Sequence, residues 1–292
     1  MTRLGRFLVL TSLLYVSSSC TVPSPPSGQV PTATTSSTAP ITAQRVVALT
    51  SLSADIIQRL SPAKLVGVGG SSLLSSNPAF SKLPRVSEGR TPPSLEKIVA
   101  LQPDLVIGAE GVHDQVLSKL QELGIRTIAT KLDRWSNLTE LTKQLAAAVQ
   151  VEPTALLKSY EGYLASKPKK TASTLILASE QPLLAPNSKS WAGDLLTQFG
   201  AKNVVADLQG KSQFAGYLTL SPEKVVEIDP EVVILIQAPG TDINKIKANP
   251  VLKGLKATKN NRVYVFDYYG LVNPGSIESI DRATKQLQKI YQ

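Results

Sequence analysis

Short apolar runs alternate with amphipathic segments along most of the chain after residue 44. A short apolar run predicts a buried strand, and apolar residues spaced three or four positions apart predict a helix. Strands separated by helices pair in parallel through right-handed crossovers, so this pattern predicts an α/β fold. The predicted strands of the first part are 45–49, 65–68, 104–108 and 125–129, and the predicted helices are 54–60, 95–101 and 116–123.

The pattern changes between residues 137 and 167, where no strand-like run occurs. Residues 138–149 have helical spacing, and Pro153 stands where a second helix, 155–164, can begin. This segment is therefore either one kinked helix or two helices in series. Because strands are predicted again at 174–178, 232–236 and 263–266, we predict two α/β lobes joined by a stiff helical connection. A single doubly wound sheet is the alternative.

An internal repeat favours two related lobes. Residues 94–107 and 221–234 are identical at seven of fourteen positions, with a constant offset of 127 residues. In each copy a helix that begins with Ser-x-Glu ends at a proline, and a strand follows at once. The matched acidic residues are Glu96 and Glu223.

The N-terminus has the pattern of a secretory signal peptide. Arg3 and Arg6 precede an apolar run at 7–16, and small residues follow up to Cys20. The run of about ten residues is roughly half of what a helix needs to cross a bilayer, so it does not predict a transmembrane anchor. We therefore expect export and removal of residues 1–19.

Cys20 is the only cysteine, which leaves no internal disulfide. Its position after small residues resembles the lipobox of bacterial lipoproteins, whose cysteine is acylated, although Ser17 stands where an aliphatic residue is usual. Residues 21–44 contain five prolines and no charged residue, which predicts a disordered spacer. We therefore expect a lipid anchor at Cys20 and a linker over 20–44, in the periplasm or on the outer face of the cell membrane. An ordinary signal peptide with an incidental cysteine is the alternative.

The chain is basic, with a formal net charge of +9. The charges are dispersed, apart from the short run at 167–170, and an exported protein does not meet nucleic acid. We interpret most of this charge as a solvated surface and expect no nucleic-acid partner.

The residues that serve catalysis are scarce. One histidine and one cysteine exclude a zinc site of several His or Cys ligands, and no Gly-x-Ser-x-Gly motif occurs. Gly210 begins Gly-Lys-Ser, but Val205 stands where a phosphate-binding loop requires glycine. We therefore predict a protein that is not an enzyme, with no cofactor and no resident metal. The remaining catalytic hypothesis is a hydrolase that uses Glu88 and Glu110 as an acidic pair.

The region from Arg45 to Gln292 resembles the substrate-binding proteins for iron chelates and cobalamin in bacterial ABC import. The segments that carry the resemblance are 45–49, 54–57, 83–86, 94–106, 123–125, 191–196, 199–204, 220–226 and 261–264. The resemblance implies two Rossmann-like lobes, 45–136 and 169–292, joined by a long rigid helix within 137–168. It also implies a ligand in the cleft between the lobes and an ABC permease, with its ATPase, as the partner.

The resemblance implies roles for several residues. Glu96 and Glu223 match glutamates that pair with permease arginines. Arg90, just before Thr-Pro-Pro-Ser-Leu-Glu, resembles an arginine that contacts the iron-bound oxygens in receptors for hydroxamate siderophores. Tyr269 matches a tyrosine that faces the chelate, and Phe214 or Tyr217 stands where those receptors have a tryptophan.

Further aromatic residues are candidates for the cleft. Trp135 and Trp191 either line it or pack in the core. His113 follows a predicted strand and is a haem ligand only in the haem-receptor alternative. The adjacent residues Tyr268 and Tyr269 are similar to the tyrosines of proteins that bind bare ferric ion, but those proteins have another fold class.

We therefore expect a monomeric solute-binding component of an ABC importer that captures a ferric siderophore, with the hydroxamate type favoured. A cobalamin or haem receptor of the same fold is one alternative. The other is an envelope structural protein that has lost its ligand.

Overall fold

The computed structural model describes residues 42–89, 91–165, 171–179, 181–208, 210, 212, 214–240 and 242–291. Within the chain, Pro40–Gln292 forms one compact unit. The predicted signal peptide, Cys20 and most of the predicted linker lie outside the described residues.

The N-terminal lobe is built on a four-stranded parallel sheet in the order β2-β1-β3-β4. Three of these strands have continuous apolar sequence, since helices cover both faces of a parallel sheet, whereas the fourth, at one edge of the sheet, is exposed or half-buried. The strands are β1 Val46–Ala48, β2 Leu65–Val68, β3 Leu105–Ala109 and β4 Arg126–Thr130, and the helices are α1 Ser51–Leu60, α2 Ser72–Ser75, α3 Leu95–Ala100 and α4 Asp114–Glu122.

Two helices in series connect the lobes, α5 Trp135–Val149 and α6 Thr154–Tyr163. Gln150 ends α5 in the left-handed conformation at a φ of 53°, and Pro153 precedes α6. This resolves the open choice between one kinked helix and two helices in series. The break lies where a proline cannot continue the ladder of helical hydrogen bonds.

The C-terminal lobe repeats the topology of the first. Its parallel sheet has the order β10-β9-β5-β7, and an antiparallel pair, β6 and β8, lies beside it. The strands are β5 Ser173–Leu177, β6 Leu183–Pro186, β7 Lys202–Asn203, β8 Tyr217–Leu220, β9 Val232–Gln237 and β10 Val263–Asp267. The helices are α7 Trp191–Gln198, α8 Pro222–Ile228, α9 Ile243–Ala248, α10 Pro250–Lys253, α11 Lys256–Lys259, the short turn α12 Tyr268–Leu271 and α13 Ile277–Tyr291.

The two parallel sheets have the same strand order. Numbered within its own lobe, and leaving the antiparallel pair aside, each sheet reads 2-1-3-4. The repeated sequence segments form equivalent units, α3 with β3 and α8 with β9, and Ser94 and Ser221 cap the two helices in the same way. The predicted pair of related α/β lobes is confirmed, and the single doubly wound sheet is excluded.

Two carboxylates join parts of the chain that are far apart in sequence. Asp194, on α7, accepts a hydrogen bond from the backbone N–H of Trp135 at 2.7 Å, at the start of α5. Asp55, buried on α1, accepts one from the N–H of Ile277 at 2.7 Å, at the start of α13. A helix N-terminus favours negative charge, so each carboxylate fixes a helix to a neighbouring element.

A continuous apolar core runs through both lobes and the connection. The largest cluster of buried residues includes strands of both sheets together with α5 and α7. At its centre the ring of Trp135 stacks on the ring of Trp191, with ring centroids 5.9 Å apart, and meets Tyr160 edge-on. These contacts attach the connecting helices to the second lobe.

Candidate functional site

A cavity of about 680 Å³ lies between the lobes and is lined by described residues of both. Residues that follow parallel strands of both sheets line it, from Leu49 after β1 to Tyr268 after β10. Ligands of open α/β folds bind at the carboxyl ends of strands, because loops diverge there and helices begin there. We call this cavity the cleft.

The start of α1 forms part of the N-terminal side of the cleft. Thr50 caps the helix, with its hydroxyl accepting from the N–H of Ser53 at 3.2 Å, and Ser51 and Leu52 line the cleft beside it. The first turn of α1 contains no acidic residue. The N-terminus of α1 therefore lies at this wall without a carboxylate of its own first turn, which suits a ligand with oxygen acceptors.

Among the described residues of the N-terminal lobe, three ionisable side chains line the cleft: Glu110, His113 and Lys131. Lys131 is exposed and lies 3.7 Å from a carboxylate oxygen of Asp133. Thr130 beside it donates its hydroxyl to the carbonyl of Gly108 at 3.0 Å. The charges on this wall are therefore few and of both signs.

The protonation of His113 follows from its hydrogen bond. Its Nδ1 accepts from the backbone N–H of Ala109 at 2.8 Å, so Nδ1 carries no proton. Burial lowers the pKa of His113 below its ordinary value, and the nearby Asp114 carboxylate only partly opposes this shift. The ring is therefore neutral at pH 7 with its proton on Nε2, which makes it a hydrogen-bond donor.

Aromatic side chains form much of the C-terminal wall. Phe214 is 51% exposed, and Tyr217 and Tyr268 line the cleft beside it. Burial, with a smaller contribution from Tyr268, raises the pKa of Tyr217 well above that of a free phenol. Tyr217 is therefore a neutral phenol at physiological pH and presents a hydroxyl to the cleft.

Tyr269 connects the lobes and is not among the described residues that line the cleft. Its hydroxyl lies 3.1 Å from the Oγ of Ser72, on α2 of the other lobe. Nearby, Leu73 packs so closely on Gly275 that a Cβ there would approach its side chain to 2.4 Å. These contacts close the cleft along one edge.

Trp135 and Trp191 lie in the core, at 9% and 3% exposure, and neither is among the described residues that line the cleft. The indole N–H of Trp191 donates to the carbonyl of Gly270 at 2.8 Å. Gly270 has a φ of +101°, a conformation that glycine adopts readily. The two tryptophans therefore belong to the core rather than to the lining of the cleft.

Arg90 lies outside the described residues. The chain just before it passes close to the cleft, because the N–H of Gly70, next to the cleft-lining Ser71, donates to the Oγ of Ser87 at 2.7 Å.

Glu96 and Glu223 occupy equivalent, exposed positions in the first turns of α3 and α8. Hydrogen bonds from its own backbone N–H and from the Ser221 hydroxyl lower the pKa of Glu223. An exposed valine, Val99 or Val226, follows each glutamate by three residues and therefore lies on the same helix face. Each lobe thus presents one carboxylate beside one apolar side chain.

The sequence pattern missed several cleft residues. Thr50, Ser51, Ser53, Ser71 and Lys131 line the cleft but have no distinctive motif. Each follows one of the predicted parallel strands within a few residues. Listing the residues after every predicted strand would have found them, because carboxyl ends of parallel strands meet at one edge.

Two features are absent from the described residues. No helix there is long and apolar enough to cross a membrane. No group of three His, Cys, Asp or Glu side chains there is arranged to hold a metal ion.

A family model described as "Periplasmic binding protein" matches residues 46–269 of the chain. Three curated relatives are similar over about two thirds of their own length. The putative ABC transporter substrate-binding lipoprotein YhfQ of Bacillus subtilis is 25% identical over 68% of this chain and 67% of its own. The Fe(3+)-citrate-binding protein YfmC of the same organism is 28% identical over 69% and 66%. The haem uptake protein IsdE of Staphylococcus aureus is 24% identical over 68% and 71%.

Solved structures share the fold. The crystal structure of an ABC transporter substrate-binding protein from Listeria monocytogenes matches with a TM-score of 0.68 and 24% identity, over 85% of this chain and 98% of that one. Both lobes and the connection between them lie within the matched fold.

Proposed function

The chain belongs to the periplasmic binding protein family and is a substrate-binding component of an ABC importer for iron chelates, haem or vitamin B12, and from this premise we propose that its cleft captures a ferric siderophore, preferentially of the hydroxamate type. The family consists of binding proteins rather than enzymes. The observation that carries the proposal is the cleft between the two sheets, lined by hydroxyl and aromatic groups and by few charges.

The size and chemistry of the cleft support a bulky chelate of low net charge. A volume of about 680 Å³ falls within the range of roughly 300–1,000 Å³ that small-molecule sites occupy. Aromatic and aliphatic side chains such as Phe214, Tyr217 and Leu132 provide apolar contact, while the hydroxyl of Ser51 can donate a hydrogen bond to an oxygen acceptor of the ligand. A ferric trihydroxamate presents both an apolar surface and iron-bound oxygens.

The protonation states of Tyr217 and His113 support a ligand in which the iron is already coordinated by a chelator. Burial raises the pKa of Tyr217, so without bound iron it is a neutral phenol that can donate a hydrogen bond, and a phenolate ligand would require deprotonating a buried group. His113 uses Nδ1 to accept a backbone hydrogen bond and carries its proton on Nε2, so ligation of haem iron would require it to give up that hydrogen bond. These side chains instead donate hydrogen bonds to the ligand.

Arg90 supports the hydroxamate type through its sequence motif. A guanidinium presents a rigid fork of donors to clustered oxygens, and it is proposed to contact those that surround the iron. Phe214 and Tyr217 are proposed to contact the chelate directly. Trp135, Trp191 and Tyr269 are proposed to act indirectly, by holding the walls of the cleft in place.

The proposal extends to delivery and location. Glu96 and Glu223 are proposed to pair with arginines of the permease, and the monomeric mature chain is proposed to work outside the cell membrane, attached through a lipid on Cys20. The name of YhfQ describes a lipoprotein, which supports the anchor. Mass spectrometry of the mature N-terminus tests the anchor, and an unmodified Cys20 or cleavage at another residue would contradict it.

Calorimetric titration of the mature protein against four ligands tests the choice of ligand. A ferric trihydroxamate is expected to bind at least tenfold more tightly than ferric citrate, haem or cobalamin. Tyr217→Phe removes one hydroxyl from the cleft and is expected to weaken binding about five- to tenfold. The matched variant Tyr264→Phe removes a hydroxyl from outside the described cleft lining and should bind as the wild type does.

Two results would overturn the ligand assignment. Tighter binding of haem or cobalamin would make the chain a receptor for that ligand. Absence of binding to all four, in a protein with a normal thermal unfolding transition, would favour an envelope structural role.

A further inference from the structure

The net positive charge of the chain is unevenly shared between its segments, and residues 242–262 of the C-terminal lobe carry a large part of it. Residues 242–262 contain six basic residues and one acidic residue, a net charge of +5, whereas the whole chain carries +9. These residues form α9, α10 and α11, three short helices in succession, and the start of β10 follows. More than half of the net charge therefore lies in 21 residues.

The fold places these charges on the surface. Lys245 and Lys247 on α9, Lys253 on α10, and Lys256 and Lys259 on α11 are all exposed. Their apolar neighbours Ile246, Leu252, Leu255 and Ala257 are buried in the second core cluster. Because one face of each helix packs against the core, the lysines of all three helices lie on the opposite face, which is exposed to solvent.

Few carboxylates neutralise these lysines. Lys256 pairs with Asp229 at 3.4 Å. The other four lysines have no ion-pair partner within 4.0 Å among the described residues. The layer therefore keeps most of its charge and projects a positive potential. We call this surface, Lys245, Lys247, Lys253, Lys256 and Lys259, the lysine face.

The lysine face is absent from the otherwise equivalent N-terminal lobe. One helix, α4, connects β3 to β4, whereas α9, α10 and α11 connect β9 to β10. Docking through Glu96 and Glu223 would use equivalent positions of the two lobes. The helices α9 to α11, which occur in one lobe only, are therefore not part of the pair of equivalent docking positions.

The lysine face adjoins the helix that carries Glu223. α10 packs against α8, and the backbone N–H of Lys256 donates to Asp229, the residue that ends α8, at 2.7 Å. α8 has seven residues and is about 10 Å long, so Glu223 and the lysine face lie on neighbouring parts of the lobe.

From these observations we propose that the lysine face binds the anionic phospholipid surface of the membrane. Lysine is a compact, strongly hydrated charge on a flexible stem, which suits loose contact with many headgroups. An exposed, one-signed layer of such charges matches an anionic bilayer, whose attraction is roughly fivefold per lysine near the surface. Bound in this way, the C-terminal lobe is held close to the bilayer.

Vesicle co-sedimentation tests the proposal. The mature chain, residues 20–292 with Cys20→Ala so that no lipid can be attached, is mixed with vesicles of phosphatidylcholine alone or with one quarter phosphatidylglycerol. We expect binding to the phosphatidylglycerol vesicles and none to phosphatidylcholine. Raising the salt from 50 mM to 500 mM should release the protein, because the Debye length falls from about 14 Å to about 4 Å.

Two quadruple variants with equal net charge identify the surface. Replacing Lys245, Lys247, Lys253 and Lys259 with Gln is expected to weaken binding at least tenfold. Replacing Lys82, Lys119, Lys143 and Lys158 with Gln, which are exposed elsewhere, should weaken it less than threefold.

Two outcomes would overturn the proposal: no binding of the wild-type chain to phosphatidylglycerol vesicles, or equal loss in the two variants. If the first variant unfolds at a lower temperature than the second, the double variants K245Q/K247Q and K253Q/K259Q decide the question instead. The vesicles contain no permease and no siderophore. Failure here therefore leaves the ligand titration untouched, and the reverse also holds.

Discussion

His113 shows how a single side chain restricts the ligand chemistry of the cleft. Its lone pair on Nδ1 is used by the backbone of Ala109, and burial lowers its pKa. A sequence with one histidine leaves haem ligation open. The hydrogen bond, which only the fold creates, turns this ring into a donor.

The lowered pKa of His113 predicts a pH dependence of stability. The folded state takes up the proton less readily than the unfolded state, so acid favours unfolding. The stability is complete above the unfolded pKa of about 6.5 and decreases as the pH falls below it, until the folded-state pKa is passed. His113→Gln should therefore lose less of its melting temperature than the wild type between pH 7.5 and pH 5. Equal losses in a calorimetric comparison would refute this.

The aromatic candidate residues occupy two different environments, the cleft and the core, for a reason that the sequence does not contain. Phe214 and Tyr217 line the cleft, whereas Trp135 and Trp191 stack on each other in the core. All four residues lie near the ends of predicted or observed elements. Their positions in the sequence therefore do not distinguish a residue of the cleft from a residue of the core. Burial depends on what packs against each ring, which is a property of the assembled lobes.

At the scale of elements, the caps at Asp194 and Asp55 determine how α5 and α13 are attached to their neighbouring elements. Asp194 accepts from the first residue of α5, and Asp55 from the first residue of α13. Each bond spans a large sequence separation, so neither is visible as a local capping motif. Local caps such as Ser94 and Ser221 were recognised from the sequence because they lie next to their helices.

Asp194→Ala is expected to destabilise the protein by about 1–2 kcal/mol, since it leaves the N-terminus of α5 without its acceptor. Asp194→Asn keeps an acceptor oxygen and should cost clearly less. Chemical denaturation measures both changes. Asp207→Ala, an exposed carboxylate on the same lobe, is the control and should leave the unfolding midpoint unchanged. If Asp194→Ala behaved like that control, α5 would not depend on the cap.

The element boundaries agree with the sequence where apolar runs are long and regular. β2 was predicted at 65–68 and is found at Leu65–Val68, and α5 begins three residues before the predicted 138. The helices α2 and α9 to α13 and the strands β6 to β8 were not predicted. Apart from α13, which has fifteen residues, these elements have two to six residues, too few to define a period, and tertiary packing stabilises them instead.

At the scale of the whole molecule, Glu96 and Glu223 give the clearest test of delivery. Reversing both charges with Glu96→Lys and Glu223→Lys should reduce uptake of the chelate at least a hundredfold. Ligand affinity should not change, because both residues are exposed in the first turns of α3 and α8 and neither is among the described residues that line the cleft. Uptake by whole cells and calorimetric titration of the purified variant measure the two quantities.

The variant with Glu122→Lys and Glu140→Lys is the matched control, since it makes the same change in net charge at exposed positions elsewhere. It should transport normally. Normal uptake by the Glu96 and Glu223 variant would contradict docking through these residues, and loss of uptake in both variants would point to overall charge.

The sequence by itself determined the two α/β lobes, the helical connection and the equivalence of Glu96 with Glu223. Those features depend on local periodicity and on a repeat, which are properties of residues close together in the chain. Tertiary structure alone decided which side chains reach the cleft, how His113 is protonated, and that lysines from three separate helices form one face. Each of these depends on residues that are distant in sequence but adjacent in space, and only the packed lobes bring them together.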